Sequence, residues 1–421
     1  MMKIEASNQW SIKKIAITIT IATFVLSSLI GFGVAELIIR RLYPQNTYTI
    51  AKTGVVSVFK KSDLIPFELK SRGFTHHIAP THEFANDITT NNLGYRGPEF
   101  SETKPNGTFR ILMLGDSTTF GIGSNDDQTF PFKLQELLEA RDEGNIEVLN
   151  AGFTSGLSPD TYYLYLKEKG LALDPDIVFV NLFLSNDISD LFENDWAETD
   201  ESGLPLKVVS KERQIDREGR LVFRQTDWKY RFPLIRDLHV GILALNLVEQ
   251  KLPTVERLLR WLVNAPDLLD DIPIEEQEKC LYLNQCSDRF NGQWQRLEII
   301  FTGFKKLSDS TGTPIIMTLM APQYQLTAHR EREEIDYNLS VEIPQPQETN
   351  NNFPQKRLIK ILDDKGLPYF DLLKGMRGKG GNPLISDTYV YKEDRHFTPE
   401  GNLAIAEAYA EYLEVQDQGF Q

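Results

Sequence analysis

Apolar positions fall into three successive regimes along this chain. From Ile15 to Ala35 they run as IAITITIATFVLSSLIGFGVA without a charge. A stretch of about 20 apolar residues matches the hydrocarbon thickness of a bilayer. From Tyr43 to Asn106 the pattern is polar and weakly periodic, with turn residues throughout, as in NNLGYRGPEF (Asn91–Phe100). From Phe109 onward, short apolar runs alternate with amphipathic stretches. FRILMLG (Phe109–Gly115), IEVLN (Ile146–Asn150), DIVFVNLFLS (Asp176–Ser185), PIIMTLMAP (Pro314–Pro322) and LPYFDLL (Leu367–Leu373) read as strands buried on both faces. Between them the spacing predicts helices over Thr129–Ala140, Ser158–Gly170, Trp294–Ser310, Gln355–Lys365 and Pro399–Tyr412. Ser158 supplies an N-cap, Pro159 suits the first helical position and Gly170 suits a stop.

Strands alternating with helices predict βαβ crossovers, hence a three-layer α/β/α sandwich on about five parallel strands. The alternation pauses from about Asp190 to Asn291. That insertion contains a hairpin pattern, RQIDREGRLVF (Arg213–Phe223), and apolar helical segments such as Leu234–Val248. Core packing of the insertion accounts for that apolar helix; a lid or a bilayer-contacting surface is the alternative.

The apolar N-terminal segment is expected to be an uncleaved membrane anchor. A cleaved signal peptide, with Gly33-Val34-Ala35 as its exit, is the alternative. Signal cores run about 7–15 residues, however, and this run continues through Leu37-Ile38-Ile39. Lys3, Lys13 and Lys14 on one side nearly balance Arg40 and Arg41 on the other, so the positive-inside rule does not orient the span. The only two cysteines, Cys280 and Cys286, tilt the choice. Six positions apart, they suit a small disulfide loop in an exported domain, and two free thiols are the alternative.

Composition narrows the chemistry. Charged residues at 25% and hydrophobic residues at 41% are ordinary for a chain that buries a core. A formal charge of -15 with no dense basic cluster excludes a nucleic-acid partner. His76, His77 and His82 lack an acidic partner at ligand spacing, and two cysteines cannot complete a zinc site. No metal or other cofactor is therefore expected.

Two segments carry reactive side chains. GDSTTFG (Gly115–Gly121) puts Ser117 just past the end of the first long strand, where open α/β sheets bind ligands. EDRHFTPEGN (Glu393–Asn402) puts His396 in a loop before a helix entry. A serine hydroxyl needs a base, and the base needs an acceptor that fixes its tautomer. Asp394 supplies that acceptor two residues before His396, with Glu393 as the competitor. No GxSxG elbow offers another nucleophile.

These segments resemble the blocks of the SGNH/GDSL hydrolase family, in its membrane-anchored form. Gly115-Asp116-Ser117 matches the block of the catalytic serine. Leu184-Ser185-Asn186-Asp187 matches the block whose asparagine helps hold the oxyanion, with Leu184 where the family has glycine. NAGFTSG (Asn150–Gly156) resembles the block that supplies a backbone donor, from Gly156 or alternatively Gly152. Asp394-Arg395-His396-Phe397 matches the Asp-x-His-Phe form of the last block, whereas an Asp-x-x-His form would select Glu393. NNLGYRGPEF resembles a segment that precedes the serine block in anchored members.

The resemblance implies an SGNH-hydrolase or flavodoxin-like fold carrying a serine-dependent esterase. Ser117, His396 and Asp394 would be catalytic, with Gly156 and Asn186 at the oxyanion. The implied substrate is an acyl ester at the cell envelope, carried by a polysaccharide or a lipid. An O-acyltransferase acting on envelope polysaccharide is the alternative, and a non-catalytic glycan-binding or scaffold protein is the rival of another class. The expected organisation is a cytoplasmic tail (1–14), an anchor (15–39), a stalk with a small irregular or β-containing subdomain (40–107) and a catalytic domain (108–415) on the extracytoplasmic side, interrupted at about 190–291.

Overall fold

The continuous apolar runs form one parallel sheet because each strand sends alternate residues into two separate cores. In a computed structural model of the chain, residues 2–45, 47–49, 56–79, 81–141, 144–153, 157–211, 213–223, 228–264, 274–326, 353–376 and 386–419 are described. They fall into two compact units, one of residues 1–53 and 225–269, the other of residues 54–224 and 270–421.

The larger unit opens with short antiparallel pairs. One of these is a hairpin of β1 (Phe74–Ile78) and β2 (Ala85–Thr89). The main sheet contains β3 (Thr108–Gly115), β4 (Asn145–Gly152), β5 (Ile177–Phe183), β6 (Ile315–Met320) and β7 (Tyr369–Asp371). All five are parallel, in the order β7-β6-β5-β3-β4. Read from the other edge, this is the 2-1-3-4-5 order of doubly wound sheets. The connections reverse between its first and third strands, here β3 and β5.

Leu112, Leu114, Val178, Val180, Met317 and Leu319 enter one core, while Ile111, Met113, Ile177, Phe179, Ile316 and Met320 enter the other. The period of two along a strand therefore produces unbroken apolar sequence when both faces are covered. The expected three-layer α/β/α architecture is the one observed.

Helices close both faces. Phe130–Glu139 and Pro399–Gly419 contribute Phe130, Leu134, Leu138, Ile405 and Tyr409 to the second core. Pro159–Tyr165, Asp288–Thr311 and Phe353–Lys365 cover the first. The Pro159 helix begins with a capping box of Ser158 and Thr161, and its last turn relaxes into a π-helical turn over Leu166–Gly170. The Asp288 helix starts where the Ser287 side chain accepts the Phe290 amide, and it stops at left-handed Gly312. The strand expected over Leu367–Leu373 shortens to Tyr369–Asp371, because Leu372–Met376 turn into a helix.

Residues 54–107 belong to the same compact unit as the sheet. The middle of the insertion, residues 225–269, groups with the N-terminal helix. That helix, α1, spans Met2–Leu42, and its residues Ala16–Leu42 form one apolar segment long enough to cross a bilayer.

Candidate active site

Ser117 is positioned by a turn that only glycine permits. A Cβ on Gly115 would meet Thr119 Oγ1 at 2.2 Å, so the chain can fold from β3 into a short helix, α2 (Ser117–Phe120), only without a side chain there. Asp116 caps α2, its carboxylate accepting the Thr118 amide at 2.9 Å and the Thr118 hydroxyl at 2.6 Å. As the first residue of a helix, Ser117 has an amide with no intrahelical acceptor. Beyond α2, the fully buried Arg96 of the NNLGYRGPEF segment gathers the chain. Its guanidinium donates to the carbonyls of Phe120 (2.9 Å), Gly121 (2.8 Å) and Ser124 and pairs with Asp126 at 2.7 Å.

His396 arrives from the other end of the chain. The loop before it is closed by a bridge between Val390 and Phe397 and by the Tyr391 amide donating to the His396 carbonyl at 2.9 Å. Arg395 takes a left-handed conformation, φ 73°. This turns the chain so that Asp394 folds back onto the imidazole. Asp394 Oδ1 lies 2.5 Å from His396 Nδ1, and His396 Nε2 lies 2.8 Å from Ser117 Oγ. With Nδ1–H donated to the carboxylate, Nε2 is free to accept the serine proton. Burial alone would raise the Asp394 pKa, but the hydrogen bond and charge of His396 outweigh it and hold the carboxyl below its ordinary value. The competitor Glu393 is exposed and is held by its backbone rather than by the histidine.

The proposed oxyanion donors divide three ways. Asn186 stands at the N-cap of a short helix, Asp187–Asp190, just past β5 and beside β3. Its Nδ2 donates to Asp190 Oδ2 at 2.8 Å, which fixes the amide plane. Gly152 is a packing glycine, since a Cβ there would meet the Phe120 nitrogen at 2.2 Å. Its amide donates to Asn150 Oδ1 at 3.0 Å, so it is not free for an oxyanion. Gly156 lies outside the described residues.

Three buried acids stand near this edge of the sheet. Burial is the largest influence raising Asp116, Asp187 and Asp190; repulsion by Asp116 and Asp190 adds to it for Asp187, and repulsion by Glu193 and Asp116 for Asp190. Asp187 is satisfied by the Tyr162 hydroxyl at 2.9 Å and the Phe183 amide at 2.8 Å. Among the described residues no cluster of His, Cys, Asp or Glu is arranged to hold a metal ion.

Several residues that shape the site carry no motif. Glu83, in the turn of the β1–β2 hairpin, accepts the Glu393 amide at 3.1 Å and the Asp394 amide at 2.7 Å. Phe84 packs its ring 4.7 Å from that of Tyr391, whose hydroxyl donates to the Gly123 carbonyl at 2.9 Å. His77 is buried against Phe84 at 5.5 Å. Burial is the main cause of its lowered pKa, which keeps the ring neutral despite the nearby charge of Asp394.

The fold and the site together define an α/β protein in which Ser117, His396 and Asp394 are joined by hydrogen bonds at the C-terminal edge of a parallel sheet. No family model matches the chain, and no curated protein does. Solved structures resemble it at low identity. A lipase/acylhydrolase from Enterococcus faecalis is 12% identical over 73% of this chain and 96% of its own, with a TM-score of 0.33. A psychrotrophic esterase from a Pseudoalteromonas species is 11% identical over 73% and 98%, at 0.34. A two-domain esterase active on acetylated mannans is 12% identical over 73% of this chain and 49% of its own, at 0.33. At these scores the similarity carries no functional weight.

Proposed function

We propose that this protein is a serine-dependent ester hydrolase of the SGNH/GDSL type, tethered to a membrane by α1. The observation that supports the reading is the unbroken hydrogen-bonded relay Ser117–His396–Asp394. In the proposed cycle Ser117 Oγ attacks the ester carbonyl while His396 Nε2 takes its proton. The imidazolium so formed is stabilised by ionised Asp394. In this cycle the Ser117 amide and Asn186 are assigned to the developing oxyanion, each such donor contributing roughly 3 kcal/mol to lowering the barrier. His396 then returns its proton to the leaving alcohol, and the acyl group remains on Ser117 Oγ. A water molecule, deprotonated by the same nitrogen, hydrolyses the acyl-enzyme. The substrate class is an acyl ester on an envelope polysaccharide or lipid, met on the extracytoplasmic side.

The test is a fluorophosphonate label applied to the detergent-solubilised full chain, alongside hydrolysis of p-nitrophenyl acetate. Wild type is expected to label and Ser117→Ala to stay unlabelled, with turnover reduced roughly 10⁴-fold or more. Turnover by Ser117→Ala near the wild-type rate sinks the assignment.

A further inference from the structure

One helix of the smaller unit is built inside out. Within residues 1–53 and 225–269, α3 (His239–Lys251) packs against α1. The Glu36 carboxylate of α1 accepts the amides of His239 (3.1 Å) and Val240 (2.9 Å), and the Gln45 amide donates to His239 Nδ1 at 2.8 Å. A second helix, α4 (Pro253–Leu262), follows and packs on α3. A surface helix facing water turns its apolar stripe inward and its charges outward, and α4 does the reverse.

The inward side of α4 is charged. Arg260 Nε pairs with Glu256 at 2.8 Å, and its guanidinium lies 5.6 Å from the Trp228 ring and 3.8 Å from Glu249. Glu249 also accepts from Lys229 at 2.8 Å and from Trp228 Nε1 at 3.2 Å. On the outward side, Val255, Leu258, Trp261 and Leu262 repeat at i, i+3, i+6 and i+7. They are 40%, 55%, 72% and 57% exposed, and Leu252 and Leu247 extend the patch. Each such side chain left in water forgoes part of the stabilisation that its burial would give. That arrangement is stable only where the medium facing α4 is itself apolar.

Glu36 is the first charge after the uncharged run that ends at Ala35 and lies in the last two turns of the Ala16–Leu42 segment, so on the reading of α1 as a membrane span it stands near the end of that span. The same Glu36 holds the start of α3, which keeps α3 and α4 near that level. Exposed Arg257 and Lys251 flank the patch as headgroup contacts, and tryptophan favours this depth. We propose that the outward face of α4 lies in the interfacial layer of the bilayer that α1 spans, giving the protein a second, monotopic membrane contact.

The experiment uses the full chain carrying Trp10→Phe, reconstituted into phosphatidylcholine–phosphatidylglycerol vesicles whose acyl chains are brominated near the headgroup. Bromine is expected to quench tryptophan emission, and adding Trp261→Phe should remove at least half of that quenching. Equal quenching with and without Trp261 overturns the proposal. So does a face covered by a second copy, seen as a dimer in detergent with Trp261 shielded from bromine. Alkaline carbonate extraction separates this outcome from failure of the anchor itself. A chain washed off the vesicles refutes the span, whereas a retained chain with unquenched Trp261 refutes only the contact by α4.

Discussion

At the scale of single residues, the relay depends on which of two adjacent acids reaches the imidazole. Asp394 meets His396 Nδ1 at 2.5 Å, while Glu393 points outward with its amide tied to Glu83. Sequence spacing alone left both open, because the choice turns on the left-handed Arg395 between Asp394 and His396. Ser117 and His396 were legible, since a serine after a strand and a histidine before a helix entry are local patterns. Asp394→Asn keeps the shape but presents an amide that can hold the wrong tautomer, so kcat is expected to fall roughly 10³–10⁴-fold. Glu393→Gln should leave kcat within about twofold, as for other surface changes. Steady-state hydrolysis of p-nitrophenyl acetate reads both, and equal losses would remove Asp394 from its proposed role. The lowered pKa of Asp394 carries a linked sign. Its contribution to stability is present above the ordinary carboxylate value of about 3.9 and is lost as pH falls through the folded value.

At the scale of elements, the β1–β2 hairpin is the part of the site the sequence concealed. Alternation is present in both strands, but the inward positions are Thr75, His77 and Asn86, with Ile88 the one apolar member. Phe74 and Ile78 face out. A hydrophobic pattern cannot reveal a strand whose buried side is polar, whereas the sheet strands, buried on both faces, were plain. The hairpin's service to the site is equally nonlocal, since Glu83 holds the amides of Glu393 and Asp394 from more than 300 positions away. A hydrogen bond to a charged group contributes about 1.5–3 kcal/mol. Loss of the lower amount in the transition state alone slows the reaction roughly tenfold. Glu83→Ala is therefore expected to slow fluorophosphonate labelling of Ser117 about tenfold, with KM for a small ester unchanged. Glu83→Gln, which keeps one oxygen acceptor, should recover part of that rate. A labelling rate unaffected in both variants would reduce the hairpin to packing alone.

At the scale of the whole molecule, the question is on which side of a membrane the proposed anchor would hold the proposed hydrolase. The flanking charges of α1 do not decide it, but the thiol chemistry bears on it. Cys280 and Cys286 form a disulfide, which the sequence had left open against two free thiols. It joins the end of the Ile274–Leu283 helix to the approach of the Asp288 helix, where Trp294 Nε1 lies 3.4 Å from Cys280 Sγ and the Arg357 guanidinium 3.3 Å from Cys286 Sγ. Closing so short a loop contributes about 2 kcal/mol through the unfolded chain. Such bonds persist in oxidising compartments and are rare in the cytosol, so the disulfide supports the proposed extracytoplasmic placement of the larger unit. The full chain taken from membranes under thiol-trapping conditions should then bind maleimide only after reduction. The Cys280→Ser, Cys286→Ser double variant should unfold a few degrees lower. Maleimide labelling of unreduced, denatured protein would place the unit in a reducing compartment. It would also exclude envelope esters as the substrate, because an ester hydrolase held on the cytosolic face cannot reach them.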